Sequence, residues 1–85
     1  MFFKFTLVRK KDNYDYLEAK ITYYDASGKV IYTDSLAWNE LNVKPGTYKV
    51  NAMYYQNEMP TKATIGIFDS STADEPICSK NVTFE

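Results

Sequence analysis

The chain has 85 residues, a formal net charge of −1 and an apolar fraction of 45%. That length supports one small domain spanning residues 1–85. Disorder is not the default at this composition, and nucleic acid is not an expected partner without a basic footprint. Without histidine and with a single cysteine, the chain can form no intrachain disulfide. It also lacks the commonest general base and zinc ligand.

Phe3, Phe5 and Leu7 alternate with Lys4, Thr6 and Val8, which predicts a strand over about 2–9. Lys10 to Asp15 is polar and reads as a loop. Leu17, Ala19, Ile21 and Tyr23 alternate with Glu18, Lys20, Thr22 and Tyr24, the clearest period-two pattern in the chain. Asp25-Ala-Ser-Gly28 then separates this run from Lys29–Thr33. A short Asp-x-x-Gly link between two such runs predicts a hairpin with Gly28 in the left-handed conformation.

Ser35 to Leu41 is less regular. Trp38 is expected to plug the core from a short strand or bend. Leu41 to Tyr48 forms a corner in which Pro45 pre-sets φ and Gly46 supplies a positive φ. Tyr48 follows and can send its hydroxyl back to a backbone group. Tyr48, Val50, Ala52 and Tyr54 continue as a strand. Lys62 to Phe68 is another, with Ala63, Ile65 and Ile67 on one face and Gly66 marking a bulge or a close neighbour. After a loop, Ile77 to Phe84 closes the sheet. The expectation is all-β: an antiparallel two-sheet sandwich of six strands, or seven if residues 36–41 form one.

The stretch Leu41, Pro45, Gly46, Tyr48, Val50 resembles the tyrosine corner of immunoglobulin-like and fibronectin-like sandwiches. The resemblance implies an immunoglobulin-like fold. It implies no function, because these sandwiches host many. The chain departs from antibody domains in lacking paired cysteines for Trp38 to pack against.

No phosphate loop, dinucleotide glycine pattern or paired-cysteine metal site is present, so no enzyme, cofactor or metal is expected. Asp69, Asp74 and Glu75 share a loop, but their spacing matches no established calcium loop and reads as a solvated turn. Cys78 reads as a small buried hydrophobe in an edge or closing strand, with Lys80 on the same strand face. No apolar run approaches the ~20 residues of a membrane helix. The start at Met1 and the lone cysteine favour an intact cytoplasmic protein over a domain cut from a larger secreted or surface protein.

Doubled aromatics are more informative. Neighbours on a strand point to opposite faces. With Ile21 and Tyr23 inward, Tyr24 faces out. With Val50, Ala52 and Tyr54 inward, Met53 and Tyr55 face out. Tyr14 and Tyr16 lie in or beside a loop. Exposed tyrosine suits binding, so Tyr24, Tyr55, Met53, Tyr14 and Tyr16 are the candidate contact residues, and Tyr24 and Tyr55 could converge on one face. The expected function is non-enzymatic protein binding through an aromatic sheet face or a strand edge, in the manner of a small bacterial or phage inhibitor or adaptor. A carbohydrate-binding or cell-surface module is the alternative. A structural component that self-associates, drawing on the polarity between Arg9-Lys10-Lys11 and Asp69, Asp74 and Glu75 near the end, is a third.

Overall fold

The computed structural model describes residues 2–9, 13–54 and 56–84. These form six strands: β1 (Phe2–Arg9), β2 (Tyr14–Tyr24), β3 (Val30–Val43), β4 (Gly46–Met53), β5 (Lys62–Phe68) and β6 (Cys78–Thr83). All pairings are antiparallel. β1 and β4 make a two-stranded sheet, and β3-β2-β5-β6 make a four-stranded one. The two layers pack against each other as an all-β sandwich.

The core is the sum of the alternating patterns. Leu17, Ala19, Ile21 and Tyr23 of β2 are fully buried, and Ala63, Ile65 and Ile67 of β5 lie beside them. Register explains the match: Ala19 stands opposite Ile67, Ile21 opposite Ile65 and Tyr23 opposite Ala63. Directly opposite residues share a face, so one buried strand commits its neighbour. The thin layer contributes Leu7, Val50 and Ala52, and Tyr54 follows from just beyond β4. At one end Tyr54 packs at 4.7 Å from Tyr23, measured between ring centroids, with Tyr32 and Phe84 around them. The Tyr54 hydroxyl donates to the Glu58 carbonyl.

Both turns follow from local chemistry. At the β2–β3 hairpin, Asp25 Oδ1 accepts from the Ser27 amide, the Ser27 hydroxyl and the Lys29 amide. Gly28 has φ +90° and its amide donates to the Asp25 carbonyl. These bonds to the ionised form hold the Asp25 carboxyl below its ordinary value, the Ser27 side-chain bond contributing most. At the corner, the Tyr48 hydroxyl donates to the Lys44 carbonyl at 2.5 Å and accepts from the Lys44 amide at 3.1 Å. Gly46 has φ +156° with open space where a Cβ would stand. The tyrosine therefore closes the corner as its spacing predicts.

Three expectations are corrected. β2 begins at Tyr14, so Tyr14 and Tyr16 belong to a strand and pair with Val43 and Leu41. A polar composition up to Asp15 masked this, because pairing with β3 outweighs local propensity. Residues 36–41 are not a separate strand: β3 runs through them as one 14-residue element. Its irregularity is a bulge, since Ala19 pairs with Trp38 while Ile21 pairs with Asp34, and the Asp34 carboxylate accepts the Leu36 amide inside it. Trp38 is half-buried at the core margin, 6.0 Å from the Tyr48 ring. It seals a flank and does not plug the centre.

Candidate functional site

Six strands divided two over four leave part of the wide sheet without a cover. β4 lies beside β3, and the Trp38–Tyr48 contact closes that flank. The opposite flank, between β1 and β6, stays open. Cys78, Lys80 and Val82 stand opposite Ile67, Ile65 and Ala63, so their side chains share the core-facing side of the sheet. Yet Cys78 and Lys80 are exposed and Val82 is only half-buried. The exposed Cys78 corrects the expectation of a buried thiol: it has the inward orientation of a core residue, but among the described residues no strand covers it.

The result is a cleft of about 460 Å³. Phe5 and Leu7 of β1, Ile65 and Ile67 of β5, and Cys78 and Val82 of β6 wall it. Lys4 and Lys80 supply its charge, and among the described residues no carboxylate lines it. Among the described residues, β1 pairs only with β4, and β6 only with β5. Each thus presents a free edge to the cleft, with backbone donors and acceptors available for pairing.

The outer face of the wide sheet carries a different cluster. Glu18 is only 3% exposed although it points away from the core. The Tyr16 hydroxyl donates to its Oε1 at 3.1 Å, and Lys20 Nζ lies 3.8 Å from its Oε2. Lys20 Nζ also sits 4.5 Å above the Phe68 ring. Phe68 in turn covers Gly66, where a Cβ would come within 3.0 Å of the ring. Gly66 thus marks a close neighbour. Burial, then the adjoining Glu18 carboxylate, raises the Tyr16 phenol above its ordinary value, against a smaller opposing effect of Asn39. This cluster shields the sheet and uses its own polar groups internally.

Among the described residues, the sequence-predicted contacts Tyr14, Tyr16, Tyr24 and Met53 do not assemble into one patch. Tyr16 and Tyr24 are separated along β2 by eight steps, or ~26 Å at strand rise. Tyr14 packs against the core edge. Tyr24 is half-buried beside Lys62 on the wide sheet, near a polar hollow of about 240 Å³ that includes Thr64 and Asn81. Met53 is 43% exposed on the thin sheet, whose outer face points the other way. Tyr55, Lys10 and Lys11 lie outside the described residues, as does the side chain of Arg9, so the charge polarity has no described geometry. Cys78 and Lys80 were not among the predicted contacts. The signal was present: a lysine shares the strand face of Cys78 and Val82, which is an inward position.

Among the described residues no three of Cys, Asp and Glu gather as a metal site, and no helix is long and apolar enough to cross a membrane. No family model, curated protein or solved structure matches this chain.

Proposed function

We propose that this chain is a non-catalytic protein-binding module that takes a partner's extended segment at the open flank between β1 and β6. One observation carries the reading: core-facing positions of β6, Cys78 and Lys80, are exposed over an apolar cleft bordered by two strand edges that pair with no described strand. Strand addition satisfies such edges with main-chain hydrogen bonds, while the cleft selects alternate side chains. The lone thiol fits a reducing compartment, and we assign the protein to the cytoplasm on that basis.

The fold is best read as immunoglobulin-like. The order β6-β5-β2-β3 supports this, because it matches the G-F-C sheet extended by C′, with β1 and β4 in the roles of B and E. On that reading the strand that flanks B has no counterpart among the described residues, and its place is the open flank. The corner at Tyr48 opens the E-equivalent strand, whereas the corner of antibody domains opens F. It is a local likeness.

Selection from a random twelve-residue peptide display library tests the function. The reading expects enriched peptides whose capture falls at least tenfold on the cleft-filling variant Cys78→Trp, with far-ultraviolet dichroism confirming that the variant folds. Enrichment no greater than on an unrelated sandwich domain contradicts it.

A second reading rests on Tyr24. Its ring borders the hollow where the Thr64 hydroxyl bonds Asn81 Oδ1 at 2.9 Å, and an aromatic beside polar groups suits a sugar. Retention on a glycan array that Tyr24→Ala abolishes supports this reading, and an empty array removes it.

A further inference from the structure

We infer that the segment received by the β1–β6 flank belongs to a different protein and pairs with the free edge of β1, placing a carboxylate over Lys80 between two small apolar side chains. This deepens the strand-edge reading and rests on it.

The argument begins with which layer is short. A strand added to β1 would widen the thin sheet from two strands to three and lie above β5 and β6. Its inward side chains, spaced by two residues, would meet the surface that β6 leaves uncovered. That surface is chemically ordered along the strand: Cys78, then Lys80, then Val82, each two positions apart and each on the same face. The flanking positions and the underlying Ile65 and Ile67 call for apolar groups. Lys80 calls for an anion.

Charge decides the occupant. Among the described residues Lys80 has no ion-pair partner, and no carboxylate lines the cleft. A strand carrying apolar–x–acidic–x–apolar residues meets Cys78, Lys80 and Val82 in register. Coverage of the ammonium by that strand excludes water and strengthens the pair relative to an exposed one. A second copy offering β6 to β1 in the matching register would instead set Lys80 over Lys80 between the layers, where like charges repel. The same lysine thus disfavours self-pairing through β6 and selects an acidic strand.

The probes are three synthetic peptides, acetyl-Thr-Val-Thr-X-Thr-Val-Thr-amide with X as Glu, Gln or Lys, titrated by calorimetry into the full chain. The expected order is Glu, then Gln, then Lys, with about tenfold or more between the extremes at low salt. The order should reverse in Lys80→Glu and flatten in Lys80→Gln, a second variant that keeps a polar side chain. Amide shifts should fall on β1 and β6. Binding without a charge order overturns this inference while leaving the strand-edge reading intact, and so does binding whose shifts lie elsewhere than β1. Binding of none of the three peptides also overturns it, and the library selection then decides the broader reading separately. Self-association of the free chain through the β1 and β6 amides overturns it in favour of a second copy.

Discussion

The two flanks of this sandwich are made from similar material and end in opposite states. On the β3 side, a 14-residue edge strand carries a bulge that Asp34 stabilises, and Trp38 and Tyr48 meet across the gap between the layers. On the β6 side, a six-residue strand has the correct inward alternation but leaves Cys78 and Lys80 exposed. The difference lies in strand number. Two strands can cover only part of four, and β4 lies beside β3. Sequence pattern specifies which way a side chain points; topology decides whether anything meets it there.

Substitutions at matched inward positions should separate the flanks most strongly. Ile21→Ala, at a position with 0% exposure on β2, should lower the unfolding free energy by about 3–4 kcal/mol. Val82→Ala, inward but half-buried on β6, should cost about 1 kcal/mol or less. Urea titration measures both, and equal losses would mean that the open flank is as well packed as the centre. The seal on the closed flank comes next. Tyr48→Phe keeps the ring against Trp38 but removes both bonds to Lys44, at a cost of about 1–2 kcal/mol.

The aromatic end responds to pH. Burial first, then the charge of Asp34 and the neighbouring Tyr32 and Tyr54, pushes the Tyr23 phenol up to about 12. A folded-state value above the unfolded value of 10 means that its contribution is intact below pH 10 and is lost as pH rises from 10 toward 12. The loss is at most ~3 kcal/mol. Its hydroxyl has no hydrogen-bond partner among the described residues, so Tyr23→Phe should change stability at pH 7 by less than about 1 kcal/mol. The same variant should flatten the alkaline decline. A variant that retains the full decline would assign it to other groups.

The smallest effect is expected at the open flank itself. Lys80→Val places a better strand former at an exposed position without breaking an ion pair. Stability should rise by up to about 0.5 kcal/mol. A loss above about 1 kcal/mol would show that the lysine already has a structural partner.

Much of the fold was legible because it depends on short-range alternation. The inward sets on β2, β4 and β5, the Asp25–Gly28 hairpin and the Tyr48 corner each involve residues within a few positions of one another. Features that depend on distant pairing were not. Tyr14 and Tyr16 join β2 because Val43 and Leu41 lie opposite. The Ser35–Ala37 irregularity is defined only against Ala19 and Ile21. Asn42 takes φ +54°, which asparagine tolerates, but nothing nearby announces it. The candidate site had the same limit. Lys80 was visibly on the face of Cys78 and Val82, whereas the missing cover is a property of how strands are shared between sheets. The surface tyrosines drew attention by residue type, and Tyr16 and Tyr24 stand far apart along β2.

The reaction of Cys78 with a small aromatic disulfide reagent in native buffer tests the open flank most directly, since the chain has one cysteine. An uncovered inward position predicts modification at a rate close to that of an unfolded control peptide, with no dependence on subdenaturing urea. A thiol that reacts only as fast as the protein unfolds would contradict the account, because it would place a cover over β6.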